Sequence, residues 1–199
     1  MQSPLPPDLQ QIADAIDGAD QAGAAIAARV TDEEFHYRPD GGRRWSIAEC
    51  LDHLAVTNVL YCTAVRTAVE QARRNGWTRT GPAEPGYFGR KFVTSQEPPV
   101  KRRLRAPQRV QPKPSRSRDE ILRAYHAAHE EVRRLIADCA TIDTNRATFP
   151  NPFLPIVKMR VSTGLNILPA HDRRHLWQAA QVEKELRSGG SLRTVVTGD

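Results

Sequence analysis

WSIAECLDHLAVTNVLYCTAVRTAVEQARRNG, residues 45–76, is the stretch on which the fold turns. Ser46-Ile47-Ala48-Glu49 fits a capping box, in which the Ser hydroxyl and the Glu side chain satisfy opposite orphan amides at a helix start. Ile47, Cys50, Leu51, Leu54, Tyr61, Val65 and Val69 then recur at helical spacing, which predicts one apolar stripe on a helix from Ile47 to about Arg74. Asn75-Gly76 supplies the stop. A helix this long with one apolar side has to be covered by other elements.

The flanking sequence provides the cover. Upstream, Leu9, Ile12, Ile16, Ala19, Ala22, Ile26 and Val30 make a second stripe over residues 8–30, although Gly18 and Gly23 lower its intrinsic helix propensity. Pro39 and Gly41-Gly42 interrupt regular structure before Trp45. Downstream, Ile121, Leu122, Tyr125, Ala128, Val132, Leu135 and Ile136 predict a third helix from about Arg118 to Cys139. Val161, Leu165, Leu168, His175, Ala179, Val182 and Leu186 predict a fourth over 160–187. Pro169 falls inside it, removing a backbone donor and crowding the preceding turn, so a kink near Leu165 or a fresh start at Leu168 is expected. Gly189-Gly190 ends the helix, with a loose tail over 190–199.

Four such helices and no competing strand pattern predict an all-α four-helix bundle, one domain over residues 1–199. Residues 75–117 form a long crossover between helices two and three, with seven prolines and no sustained period. Its GYFGRKFV piece, residues 86–93, is expected to pack over one end of the bundle.

Composition narrows the function classes. No apolar run approaches the roughly 20 residues that span a bilayer, and MQSPLPPDLQ has neither the basic start nor the apolar centre of a secretory signal. Cys50, Cys62 and Cys139 are widely spaced with no CxxC pair, so the expectation is a reduced, cytoplasmic protein without a disulfide framework. The net charge of +6 is local. Residues 101–118, KRRLRAPQRVQPKPSRSR, hold eight of the 29 Lys and Arg, leaving 21 against 23 Asp and Glu elsewhere. No aromatic residue interleaves with those charges as a stacking platform, so a solvated loop is expected there, and nucleic acid is not expected as a partner.

Six histidines are present, and they are not equivalent. His171 and His175 lie one helical turn apart and project to one side, and both fall within the apolar stripe that contains Leu168. Two adjacent buried imidazoles are costly unless partnered, and they repel if both are protonated. A metal ion resolves both problems, because it takes the neutral ring as ligand and leaves the second N–H for an outer acceptor. HxxxH alone also fits surface or hydrogen-bonded histidines. A third candidate raises its weight: His53, on another helix among Leu51, Leu54 and Leu60, at the shoulder of that helix's stripe. His126 and His129 form a rival pair beside Glu130 and Glu131, on a face expected to be partly exposed.

WSIAECLDHL, residues 45–54, followed far downstream by LPAHDRRHLWQ, residues 168–178, resembles the signature pair of the DinB/YfiT-like superfamily of bacterial proteins. The likeness covers almost the whole chain and includes an RAP step at Arg105–Pro107. It implies a four-helix bundle with His53, His171 and His175 as ligands of one divalent metal, zinc or nickel first, with manganese or iron as further candidates. It further implies homodimers, and among members with an assigned activity, transferases and isomerases that use low-molecular-weight thiols.

Neighbouring residues carry two readings each. Glu49 could orient His53 or take a proton, although the capping box already explains it, and Gln178, on the ligand side of helix four, could contact substrate or bound water. Asp172 could accept from a ligand ring or pair with Arg173 or Arg174; Cys50 could serve as thiolate, with core packing the preferred account. Three neutral imidazoles leave a metal position open, as in catalytic sites. Neither HExxH nor a serine nucleophile elbow is present. The expectation is therefore a metal-dependent enzyme of thiol S-transferase or hydrolase type; the alternative is a non-catalytic metal- or small-ligand-binding bundle in stress response or detoxification.

Overall fold

A computed structural model describes residues 4–99, 107–112 and 116–188. Much of the basic stretch (101–106 and 113–115), Arg105 of the RAP step and the 190–199 tail lie outside the described residues. Helix α1 (Pro7–Ala28) is followed by α2 (Asp32–His36), the turn-like α3 (Pro39–Gly42) and α4 (Ile47–Arg74). Next come α5 (Tyr87–Gln96), a 3-10 turn (Gln108–Val110) and α6 (Arg118–Asp138). A small antiparallel pair, β1 (Thr148–Pro150) and β2 (Lys158–Arg160), leads into α7 (Val161–Ser188).

Capping boxes start α2, α4 and α6, at Thr31 with Glu34, Ser46 with Glu49, and Ser117 with Glu120. Each satisfies two amides that the helix leaves open, and so fixes where the helix begins. In the bundle α4 packs against α6 and α7, and α1 packs against the same two helices. The short α1–α4 link and the α6–α7 link therefore join helices on opposite corners.

The core divides in two. One cluster gathers Leu9, Ile16, Val65, Val132 and Leu165; the other gathers Phe35, Leu51, Leu54, Tyr125 and Leu176. Along α4, α6 and α7 the residues between the two clusters are polar and buried: Thr57 and Asn58, His129, and Asp172. Asn58 Nδ2 donates to Asp172 Oδ1 at 3.2 Å, and His129 Nε2 lies 3.3 Å from Asp172 Oδ2. These buried polar contacts tie three helices together and constrain how they slide past one another, while Thr57 Oγ1 and Asn58 Oδ1 find no hydrogen-bond partner among the described residues.

Several expectations need correction. The fourth helix runs as one element through Pro169 instead of restarting at Leu168, because Leu165, Leu168, Pro169 and Ala170 are all buried and packing holds the turn together. The crossover is not structureless. It contains α5, which lies along α7 with Tyr87 and Phe88 exposed, while Val93 packs against the core. Its described basic part is solvated only in part: Arg109 is exposed, but Val110 is buried, Arg116 pairs with buried Asp52, and Arg118, at the start of α6, donates to the carbonyl oxygens of Ala27 and Val30. His129 is fully buried rather than partly exposed, and only His126 faces outward, paired with Asp20. Among the described residues, no helix is long and apolar enough to cross a membrane.

Candidate metal centre

His53 comes from the second turn of α4, and its position follows from the cap at Ser46, which sets the helical phase. His171 and His175 come from the middle of α7, which Pro169 enters without a break. Packing of α4 on α7 brings the three rings together. One ligating nitrogen from each lies within 4.8 Å of the others, and no other group of three or more potential ligand side chains meets that test among the described residues. His171 Nε2 is 3.4 Å from His53 Nε2 and 3.2 Å from His175 Nε2. Two ligands at 2.0–2.1 Å in a tetrahedral arrangement sit about 3.3 Å apart, so these spacings fit a zinc-sized ion.

Hydrogen bonding decides which nitrogen faces the cavity. His53 Nδ1 lies 2.7 Å from the carbonyl oxygen of Val110, which can only accept, so Nδ1 carries the proton and a neutral ring keeps the Nε2 lone pair. His175 Nδ1 donates to Gln178 Oε1 at 2.8 Å with the same consequence. Lone pairs thus converge on one point, and His171 Nε2 faces both. A single N–H from His171 could not point squarely at two acceptors, whereas a cation between the three satisfies them together. Buried His171 Nδ1 has no partner among the described residues.

The electrostatics favour the ligating form. Burial lowers the pKa of His53, and burial with repulsion between neighbouring rings lowers those of His171 and His175 well below the ordinary value of 6.5. All three are therefore neutral at neutral pH, as metal ligands must be. The donor set, its spacing and its protonation fit a divalent metal.

The surroundings sort the remaining candidates. Glu49 accepts from the Ser46 amide and pairs with Arg38 at 3.0 Å, so its capping role holds it. Gln178 orients His175. Asp172 takes neither expected role: it is buried between Asn58 and His129, while Arg173 pairs with Glu97. Asp172 together with the Tyr125 carbonyl outweighs the burial that would depress His129, and its pKa is raised. Cys50 is fully buried with its thiol pushed up by burial, which makes it a packing residue; burial also pushes Cys62 and Cys139 up to about 12.

Two contributors escaped the sequence reading. Trp45 packs on His53 and His175, with ring centres 4.8 and 5.6 Å apart; its place just before a capped helix bearing His53 was the available signal. Val110 acts through its backbone oxygen, for which a sequence has no signal. The three histidines line a cleft of about 940 Å³, so the convergence point is open on one side.

A family model described as the DinB superfamily matches residues 15–179. No curated protein and no solved structure matches the chain. The matched span runs from within α1 through His53 to His175 and Gln178, and by that extent the chain belongs to the DinB superfamily.

Proposed function

We propose that this chain is a metal-dependent enzyme in which His53, His171 and His175 hold one divalent ion, zinc first and nickel second, and which acts on a small molecule by thiol S-transfer or hydrolysis. The observation that carries this reading is the convergence of three neutral imidazole nitrogens at the wall of an open cleft. The tetrahedral spacing of two of the nitrogen pairs supports zinc. When bound, a divalent ion supplies positive charge that favours the anionic form of a thiol or of water near neutral pH.

The chain's own residues prepare the site. Val110 and Gln178 fix two ligand rings in the tautomer that presents Nε2. Trp45 covers one side of His53 and His175 and keeps water from their faces. Tyr61, Phe92 and Phe153 give the cleft an apolar wall beside its polar groups, and small-molecule sites bind and orient by such a combination.

The test is consumption of a low-molecular-weight thiol with an electrophile such as 1-chloro-2,4-dinitrobenzene, and hydrolysis of an activated ester or amide. Turnover of one class should vanish on chelation, return with zinc or nickel, and be absent in His175→Ala. Turnover indifferent to chelation and to that substitution contradicts the proposal. Tight metal binding with no turnover supports the non-catalytic bundle instead.

A further inference from the structure

Two elements that flank the cleft hold large apolar side chains out in water. On α5, Phe88, Phe92 and Gln96 follow one another at four-residue steps and so share a face. Phe92 and Gln96 line the cleft, and Phe88, one turn further out, is 83% exposed. The neighbouring face of α5 is committed to the bundle: a methyl group at Gly89 would fall 2.5 Å from Thr163 Oγ1, and Val93 packs against the core. Phe88 therefore cannot turn inward with the helix in place.

The second element is the turn that joins β1 to β2. Turns are ordinarily built from Gly, Pro, Asn, Asp and Ser, whereas this tip reads Leu154-Pro155-Ile156-Val157, with Leu154 and Val157 exposed and Ile156 87% exposed. Its backbone is well tied. Asn151 Oδ1 accepts from the amides of Phe153 and Leu154 at 2.8 and 3.1 Å, and the Val157 amide donates to the Leu154 carbonyl oxygen at 2.9 Å. Phe153, beside the tip, turns inward onto Tyr61 with ring centres 5.9 Å apart and lines the cleft. An apolar tip held in water adds nothing to the core of this chain, and its exposure is unfavourable until something covers it.

The charge beside both elements has one sign. Arg90 and Lys91 follow Phe88, Lys158 and Arg160 follow Ile156, and all four are exposed. No acid occurs between Pro85 and Gln96 or between Thr148 and Arg160. A methyl group at Gly86 would lie 3.3 Å from Arg160 Nη1, so the start of α5 adjoins the end of β2 and the two basic groups form one field. A two-fold interface pairs a patch with itself, and a second copy would set these cations against their own likes. The complementary partner is anionic. An acidic polypeptide would have to be moulded around side chains that project from two separate elements, whereas a bilayer interface takes projecting apolar groups into its acyl boundary while anionic headgroups meet the flanking cations.

We propose that α5 and the β1–β2 turn dock the protein on an anionic lipid bilayer, with Phe88 and Ile156 entering the headgroup layer and Arg90, Lys91, Lys158 and Arg160 at the lipid phosphates. The cleft that the two elements flank then lies at the bilayer surface.

The experiment sediments the full chain with sucrose-loaded vesicles of phosphatidylcholine alone and of equal parts phosphatidylcholine and phosphatidylglycerol, at about 0.1 M NaCl. Binding to the anionic vesicles should be at least about tenfold tighter than to the neutral ones. The double variant Phe88→Ser, Ile156→Ser should bind the anionic vesicles at least about tenfold more weakly at unchanged helicity, and Lys158→Gln, Arg160→Gln should weaken them by about tenfold or more. The three native thiols are buried, so a polarity-sensitive dye attached to the Ile156→Cys variant reports on the tip, and its emission should move to the blue on anionic vesicles. Absence of binding, binding indifferent to the serine pair, or a dye that stays in water on bound vesicles overturns the proposal. So does a solution mass of two chains that falls to one in the serine pair, which assigns the patch to a second copy.

Discussion

Val110 contributes only a backbone oxygen to the metal centre, yet that oxygen decides which nitrogen of His53 faces the cavity. Gln178 does the same for His175 through a side chain. Removing such a partner frees the ring to rotate and to change tautomer, and commonly weakens metal binding by about 10–100-fold. Gln178→Leu is therefore expected to lower zinc affinity by that factor in competition with a chromophoric chelator, with the fold retained. Unchanged affinity would mean that His175 is oriented by something else. The histidines themselves were legible because four-residue spacing and stripe phase are sequence properties. The wrapping of the crossover onto α4 was not, because a carbonyl acceptor has no residue type, and the pairing of His129 with Asp172 joins residues 43 apart in the chain.

At the scale of elements, the capping box at Ser46 and the apolar stripes placed all four long helices to within about two residues, the ordinary uncertainty of helix ends. Pro169 does not restart the helix at Leu168, because tertiary packing holds the turn together where local propensity argues for a break. Helix α5 was missed because it is only ten residues long and buries no side chain fully, so it has no long stripe to announce it. The two glycines of α1 show what propensity alone leaves undecided. A methyl group at Gly18 meets nothing within 4 Å, whereas one at Gly23 falls 2.6–2.7 Å from the Tyr125 ring and hydroxyl. Gly18→Ala should then stabilise the protein by about 0.5–1 kcal/mol through helix propensity. Gly23→Ala should destabilise it by about 1–3 kcal/mol, since Tyr125 is buried and donates to the Ala19 carbonyl oxygen. Urea unfolding of the two variants checks the pair, and the same sign for both would contradict the packing described between α1 and α6.

Across the whole molecule, the histidine group makes stability depend on pH and on metal together. His53, His171 and His175 are depressed below 6.5 in the folded chain, so the unfolded chain takes up their protons first, and the metal-free protein loses stability as pH falls below about 6.5. His129 runs the other way: its pKa is raised, so its contribution is present below about 6.5 and is lost as pH rises through the raised value. It opposes them, and with three depressed groups against one raised group the net change from pH 7.5 to 5.5 is a loss of stability. Urea unfolding of chelator-treated protein at the two pH values measures it; equal or greater stability at pH 5.5 would show that the rings are not buried neutral. The measurement that bears most directly on the account is elemental analysis of protein purified without a polyhistidine tag, comparing the parent chain with His171→Ala. About one zinc or nickel ion per parent chain, with little or none in the variant at unchanged helicity, is the expected result. Equal metal in both, or none in a correctly folded parent supplied with zinc, would contradict the claim that these three rings form a metal centre.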